Sequence, residues 1–224
     1  MTIPKFTGSS QSFHTELKKR INDYFSKTGK SMTGNFSLWF KAILLVVSFI
    51  GVYTHLVFFT PANWIAILEC LVLGGLTAAI GFNVMHDGAH GSFSRFPWIN
   101  KMAAISANFL GADTFMWKTK HNVIHHAYTN IDGVDDDIDA RPLLRLCETQ
   151  KHYKIHRYQH FYFWAAYSLL YIWWVFVTDY KKYFSKRIGP MPLKKMTASD
   201  HIIFWGFKAI HIIFIVTWFA GMFY

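Results

Sequence analysis

Two long apolar runs limit what this chain can fold into. Residues 42–59 (AILLVVSFIGVYTHLVFF) carry no formally charged side chain, and residues 64–85 (WIAILECLVLGGLTAAIGFNVM) carry only Glu69. A helix of about 20 apolar residues is long enough to cross the hydrocarbon core of a bilayer. Because Pro61 lies between the runs, the sequence predicts two spanning helices joined by a short turn, which together form a hairpin.

Two further apolar segments follow, at residues 161–178 and 202–224. Six cations lie between them: Lys181, Lys182, Lys186, Arg187, Lys194 and Lys195. The positive-inside rule favours the cytosol for such a segment, so we expect residues 161–178 to form a re-entrant or interfacial helix and Tyr224 to end on the far side. The predicted fold class is all-α, a multi-pass transmembrane helical bundle. Its cytosolic cap is expected to carry the histidine motifs described below and is called the histidine-box cap.

The first 37 residues differ from this apolar remainder. They contain no apolar stretch typical of a signal peptide, so we expect residues 1–37 to be a cytosolic amphipathic segment. Their cations support this assignment: Lys5, Lys18, Lys19, Arg20, Lys27 and Lys30. The whole chain has a formal net charge of +10. Because its lysines flank apolar runs, we expect anionic membrane lipids rather than nucleic acid to be their partner.

Five histidines stand in two short motifs, HDGAH at residues 86–90 and HNVIHH at residues 121–126. Residues four positions apart share one face of an α-helix. The spacing therefore predicts that His86 and His90 form one pair of metal ligands and His121 and His125 another. On the same helix His126 lies about 100° further round and is expected to point at a different centre. Two helices of this kind can hold two metal ions.

The imidazole ligands by themselves leave the metal open among Fe, Zn, Cu and Ni. The predicted position gives more information, because a metal at the cytosolic end of an apolar bundle would face acyl chains. Attack on unactivated C–H bonds requires redox activation of oxygen, which iron provides and zinc does not. The sequence therefore favours iron.

Three other groups of residues extend the candidate site. His152, His156 and His160 stand at i, i+4 and i+8, where they would supply a further ligand, contact a substrate headgroup or lie at the interface. The aspartates after HNVIHH form either a solvated loop or orienting carboxylates that accept the far N–H of ligand histidines. These aspartates are Asp132, Asp135, Asp136, Asp137 and Asp139. We expect Asp87, Asn122 and Asp137 to be the orienting residues.

An apolar stripe at helical spacing lies between the two motifs. Its members are Trp98, Met102, Ile105 and Phe109. It predicts a helix that either lies along the membrane surface or packs against the core.

The stretches HDGAHGSFS and WKTKHNVIHHAYTNIDGVDDDID, with HRYQH downstream, resemble the membrane fatty acid desaturases, and most closely the front-end or linoleoyl-CoA desaturase branch. The resemblance implies a desaturase domain over residues 38–224 and a di-iron centre that uses O2 as co-substrate. Such an enzyme removes two hydrogens from an acyl chain carried by a lipid or by CoA. The resemblance also implies five iron ligands: His86, His90, His121, His125 and His126.

The chain departs from the family pattern in one respect. The family has a third box, Q-x-x-H-H or H-x-x-H-H, and no histidine pair follows His126 here. We therefore expect the domain to be incomplete at its carboxyl end and inactive alone. The resemblance implies a separate electron donor, a ferredoxin or a b-type cytochrome with its reductase, because no H-P-G-G element precedes the first span. The basic residues within 179–200 would either dock this donor or contact lipid headgroups.

Two other functions fit the same motifs. A histidine-box membrane hydroxylase acting on an alkane, a sterol or a carotenoid would share the metal chemistry, and its product would contain an inserted hydroxyl group. A metal transporter or a non-catalytic membrane protein belongs to another class. Transport predicts ligands within the spans, whereas the histidine motifs here follow them.

Overall fold

The computed structural model describes residue 4, residues 11–59 and residues 61–221, without the side chains of residues 11–12 and 218–221. Two positions used above, Lys5 and Tyr224, lie outside the described residues. The described residues up to Ala104 form one compact unit, and those from Ile105 onward form another.

The first unit is an α-helical hairpin with short additions. Its helices are α1 (Gln11–Thr28), α2 (Phe36–Phe58), α3 (Asn63–Ile80), α4 (His86–His90) and the greater part of α5 (Pro97–Phe109). A π-helical turn, Gly81–Met85, joins α3 to α4 without a break. Asn35 caps the amino terminus of α2, and its side chain accepts a hydrogen bond from the Leu38 N–H. Near the far end of the hairpin, Nδ1 of His55 lies 2.6 Å from Oε1 of Glu69, which links α2 to α3.

The second unit is also helical but more irregular. Its α-helices are α6 (Thr114–Lys118), α7 (His126–Tyr128), α8 (Gln159–Trp173), α9 (Asp179–Ser185) and α10 (Ala198–Gly221). Two π-helical turns occupy Thr119–His125 and Trp174–Thr178, and two 3₁₀ turns occupy Asp136–Ile138 and Lys154–Tyr158. Strands β1 (Arg187–Ile188) and β2 (Met191–Pro192) pair antiparallel, with Ile188 opposite Met191. The sequence did not predict this small hairpin.

Among the described residues, four helical segments are long and apolar enough to cross a membrane, by length and composition. They are Phe36–Phe58, Asn63–His90, Lys154–Ser185 and Ala198–Thr217. Only 6% of the apolar window of the first segment is buried inside the protein, so its side chains are left for a nonpolar surrounding. The predicted all-α membrane fold is confirmed. The re-entrant or interfacial placement of residues 161–178 stays a prediction, and the structure makes them part of one continuous helix of 32 residues.

Two amphipathic helices expose their apolar sides. On α1, Phe13, Leu17, Ile21 and Tyr24 are all exposed, in keeping with the predicted amphipathic amino-terminal segment. The predicted stripe helix is α5, on which Trp98 and Met102 are 63% and 65% exposed. This exposure favours the membrane surface over the protein core as the surrounding of α5.

Candidate metal centre

The first histidine cluster consists of His86 and His90 on α4. Their ring centroids lie 4.5 Å apart, so the predicted shared face is confirmed. Helix α4 ends at Gly91, which has a φ of +74°, a conformation that glycine adopts without strain. The Asp87 carbonyl then accepts hydrogen bonds from the Ser92 and Phe93 N–H groups, which closes the turn after the cluster.

Gly88 explains how the short helix α4 is held in place. A Cβ atom at this position would lie 2.6 Å from Cβ of Ala103 and 2.7 Å from the backbone nitrogen of Ala104. The two backbones therefore approach too closely for a side chain at position 88. In the π-helical turn before α4, Oδ1 of Asn83 accepts a hydrogen bond from Nζ of Lys41 on α2 at 2.6 Å.

Asp87, one of the predicted orienting residues, lies beside His86. Its Oδ1 lies 3.6 Å from Nδ1 of His86, which is too long for a hydrogen bond between these two atoms. An orienting role for Asp87 stays a prediction.

The second histidine cluster consists of His121, His125 and His126. Ring centroids of His121 and His125 lie 5.1 Å apart, and those of His121 and His126 lie 4.9 Å apart. The expectation that His126 points at a different centre stays a prediction, since this distance joins ring centroids and not the metal-binding nitrogen atoms. It assumed an α-helix, whereas Thr119–His125 is a π-helical turn. Its i→i+5 hydrogen bonds widen the turn, so positions four and five residues on both lie near His121.

Two aspartates hold the Nδ1 atoms of this cluster. Oδ2 of Asp137 lies 3.2 Å from Nδ1 of His121 and 3.3 Å from Nδ1 of His125. Oδ2 of Asp135 lies 2.9 Å from Nδ1 of His125. Asp137 thus occupies the position that an orienting carboxylate requires, and Asp135 is a second such residue that we did not single out. The other predicted orienting residue, Asn122, follows His121 in the π-helical turn, and its role stays a prediction.

Asp135 is not part of a solvated loop. It is 2% exposed, and its carboxylate also accepts hydrogen bonds from the backbone N–H groups of Asn130 and Asp137. These bonds hold the carboxylate in the orientation in which it contacts Nδ1 of His125. The run of five aspartates indicated negative charge, but only the folded loop determines which of them faces a histidine.

The donor atoms present fit a metal ion. His121, His125 and Asp137 each offer a possible ligand atom, and these atoms lie within 4.8 Å of one another. Because Asp137 contacts Nδ1 of both histidines, we assign it to orienting the rings rather than to the metal. When carboxylates accept the Nδ1–H groups, Nε2 is left as the ligand atom, which is the usual arrangement of metal-bound histidine. Imidazole nitrogens oriented in this way suit iron, and equally the zinc, copper and nickel considered above.

Lys120 balances the negative charge beside the second cluster. Its Nζ lies 2.8 Å from Oδ1 of Asp137 and 3.7 Å from Oδ2 of Asp136. Burial opposes the charge on Lys120, but the carboxylates of Asp137 and Asp136 outweigh it and raise the pKa of the lysine. Burial likewise opposes the charge on Asp137, and Lys120 outweighs it and lowers the pKa of the carboxyl group. Both groups are therefore ionised at neutral pH.

The third histidine row does not form a single helical stripe. His152 precedes the 3₁₀ turn Lys154–Tyr158, so it is not on the same helix face as His160. His156 is buried, its Nε2 lies 2.9 Å from the Pro142 carbonyl and its Nδ1 accepts from the Tyr153 N–H. With both ring nitrogens engaged by the backbone, we do not propose His156 as a ligand. His160 lines a cavity of about 360 Å³ whose other walls are Leu144, Leu146, Gln159, Phe163 and Tyr167.

A buried ion pair joins α9 and α10. Nζ of Lys208 lies 2.9 Å from Oδ2 of Asp179 and donates to the carbonyls of Gly111 and Val175 at 2.7 and 2.8 Å. Asp179 is 0% and Lys208 5% exposed. The same Asp179 oxygen accepts from the Asp113 N–H at 3.0 Å. The pair therefore anchors the start of α6, the helix that leads into the second histidine cluster.

Asp113 gives the second unit a pH-dependent stability. Burial raises its pKa to about 6, Asp179 adds to the rise, and the Met116 N–H, Asn108 and Lys208 oppose it. A raised carboxyl pKa means that Asp113 contributes most stability below its ordinary pKa of 3.8, a contribution lost as the pH rises through about 6. We expect Asp113→Asn to become more stable relative to the wild type by about 1 kcal/mol between about pH 5 and about pH 7.5. Thermal unfolding of both proteins in detergent across this range measures the difference, and parallel curves would contradict the assignment.

Comparisons with known proteins agree with these motifs. The sequence model of the family described as "Fatty acid desaturase" matches residues 62–224. The chain is 32% identical over 209 residues to an sn-1 linoleoyl-lipid 6-desaturase of Arthrospira platensis, covering 93% of this chain and 57% of the relative. It is 32% identical over 191 residues to the protein of the same name from Synechocystis sp., covering 83% of this chain and 53% of the relative.

A third relative is more distant. The chain is 27% identical over 212 residues to an acyl-lipid (8-3)-desaturase of Physcomitrium patens, covering 94% of this chain and 44% of the relative. The chain thus spans about half the length of the curated relatives it matches. No solved structure matches it.

Proposed function

Because this chain belongs to the fatty acid desaturase family, we propose that it supplies iron ligands to an acyl-lipid desaturase. Such an enzyme introduces a double bond with O2 at a di-iron centre. The observation that carries the proposal is the second histidine cluster, where Asp135 and Asp137 hold Nδ1 of His125 and His121. Carboxylates in this position fix the tautomer and ring orientation of metal-binding imidazoles.

The proposed iron ligands are five histidines from both clusters. They are His86, His90, His121, His125 and His126. Bound iron would supply the activation of O2 for removing two hydrogens from neighbouring carbons of an acyl chain. O2 takes up these two hydrogens together with two further electrons and two protons, and leaves as two waters. The role of this chain is to hold the imidazoles in a fixed orientation, with the charge of Asp137 balanced by Lys120.

We propose an acyl group carried by a membrane lipid as the substrate. The relatives named above are a linoleoyl-lipid and an acyl-lipid desaturase, which favours a lipid-linked acyl chain over acyl-CoA. The cavity beside His160 is lined mainly by apolar side chains, which suits contact of this histidine with the lipid. The position of the new double bond is left to product analysis.

The two electrons would come from a separate ferredoxin or b-type cytochrome with its reductase. Five of the predicted docking cations are exposed: Lys181, Lys186, Arg187, Lys194 and Lys195. The sixth, Lys182, is buried and paired with Asp136, so it does not belong to a docking surface. Exposed cations of this kind suit an acidic donor. By the positive-inside rule they also support our proposal that the protein is multi-pass with its histidine clusters on the cytosolic side.

Product analysis in living cells tests this function. The chain would be expressed as it stands and also joined to the part of the Arthrospira platensis relative that it does not cover, with linoleate supplied. We expect a new double bond in lipid-linked acyl chains of cells that carry the joined protein, measured by gas chromatography and mass spectrometry. The matched control is the joined protein with His86→Ala, which should give no product.

Two results would count against the proposal. A hydroxylated product would favour the hydroxylase alternative. An iron-containing joined protein that makes no product, in cells where the intact relative is active, would show that these residues do not support desaturation.

A further inference from the structure

Lys182 is a buried cation that the proposed reaction does not explain. It lies on α9, directly after the π-helical turn Trp174–Thr178, and it is 5% exposed. A buried ammonium group is costly unless a carboxylate compensates its charge. Its Nζ donates to Oδ2 of Asp136, which lies 46 residues earlier in the aspartate loop.

From Asp136 a line of alternating charges leads to the second histidine cluster. Oδ2 of Asp136 lies 3.7 Å from Nζ of Lys120, and the same Nζ lies 2.8 Å from Oδ1 of Asp137. The other oxygen of Asp137 lies 3.2 Å from Nδ1 of His121. Lys182 is thus joined to the imidazole through two carboxylates and one ammonium group, all within residues 105–224.

A second contact ties α9 to the same lysine. Nζ of Lys120 lies 5.9 Å from the ring centroid of Trp174, and Nε1 of Trp174 donates to Oδ1 of Asp179 at 3.0 Å. Lys120 is therefore held between the aspartate loop and the start of α9. The π-helical turn that precedes α9 determines where both Asp179 and Lys182 lie, and such turns are frequent at functional sites.

We propose that Lys182 is a positioning residue for the second histidine cluster, acting through Asp136 and Lys120 on Asp137. Because Lys182 compensates the charge of Asp136, the ammonium group of Lys120 can pair with the carboxylate of Asp137. Without Lys182, the unpaired Asp136 would draw Lys120 away, and Asp137 would lose the contact that keeps it on the two Nδ1 atoms. The metal-binding part of this inference rests on the proposed function, whereas the tautomer of the histidines does not.

The direct test is the tautomer of His121 and His125, read from the ring nitrogen signals in ¹⁵N NMR of the full chain. Spectra would be recorded at about pH 8, where histidines of ordinary pKa are neutral. We expect the Nδ1–H tautomer in the wild type and a mixture with the Nε2–H tautomer in Lys182→Met. The Fe(II) affinity should fall by about tenfold, the lower end of the range for residues that orient metal ligands. The matched control, Lys181→Met, changes an exposed neighbour and should alter neither quantity.

A double variant separates positioning from simple loss of folding. In Asp136→Asn with Lys182→Met, both charges of the outer pair are removed, so Lys120 again has Asp137 as its close carboxylate. We expect this variant to recover the Nδ1–H tautomers and most of the Fe(II) affinity. If Lys182→Met alone does not fold, the double variant decides the question.

Three outcomes would bear on the inference. Wild-type tautomers in folded Lys182→Met would overturn it, and so would a folded double variant that fails to recover them. If the wild-type chain binds no iron but loses its Nδ1–H tautomers in Lys182→Met, the proposed function fails while the positioning role stands.

Discussion

Replacing Lys208 by methionine is expected to reduce the stability of the second unit by about 3–5 kcal/mol, the usual cost of leaving one partner of a buried ion pair uncompensated. Asp179 would remain buried beside the apolar methionine. Three hydrogen bonds of Nζ would also be lost, including those to the carbonyls of Gly111 and Val175. In thermal unfolding of the purified chain in detergent, the midpoint should fall by roughly 10 °C.

The matched controls for this change are one exposed lysine and one double variant. Lys195→Met removes an exposed cation and should leave the unfolding midpoint within about 2 °C of the wild type, since exposed substitutions have small effects. Lys208→Met combined with Asp179→Asn removes both charges and should recover part of the loss. A single variant as stable as Lys195→Met would show that the pair does not hold α9 and α10 together.

Replacing His121 by alanine is expected to lower the iron content of the protein to less than about a tenth of the wild-type value, because a proposed ligand is lost outright. His121 is the informative choice among the three histidines of the second cluster. Its removal leaves Asp137 paired with Lys120 and Asp135 bonded to His125, so no buried carboxylate loses its last partner. The folded yield should therefore stay close to that of the wild type.

Elemental analysis of the purified chain from iron-supplied cells measures this effect. His152→Ala is the matched control, because His152 is exposed and lies outside both histidine clusters. It should retain the wild-type iron content. Equal iron contents in the two variants would remove His121 from the ligand set and weaken the proposed function.

Much of the architecture followed from the sequence because it depends on local properties of the chain. The apolar runs predicted helices for both arms of the hairpin, and the structure has helices there. The i, i+4 spacing predicted a shared face for His86 and His90, and their rings lie 4.5 Å apart. Length, hydropathy and spacing within one helix need no knowledge of distant contacts.

The second histidine cluster shows where such local rules stop. A 100° step per residue placed His126 away from His121, but the π-helical turn brings the two rings to 4.9 Å. The i, i+4, i+8 spacing likewise put His156 on a stripe with His152 and His160. In the folded chain His156 packs under the Pro142 carbonyl and stabilises a turn. Both predictions assumed regular α-helix, whereas the backbone there is π-helical or 3₁₀.

By itself, the sequence determined that this is an all-α membrane protein with histidine clusters suited to a metal ion, because hydrophobic length and ligand chemistry are properties of the residues themselves. Only the tertiary structure decided which carboxylate meets which imidazole. The contact of Asp135 with His125 spans 10 residues, that of Lys182 with Asp136 spans 46, and that of Lys208 with Gly111 spans 97. Such partners are selected by packing and by the need to compensate buried charge, and both arise only when distant segments come together.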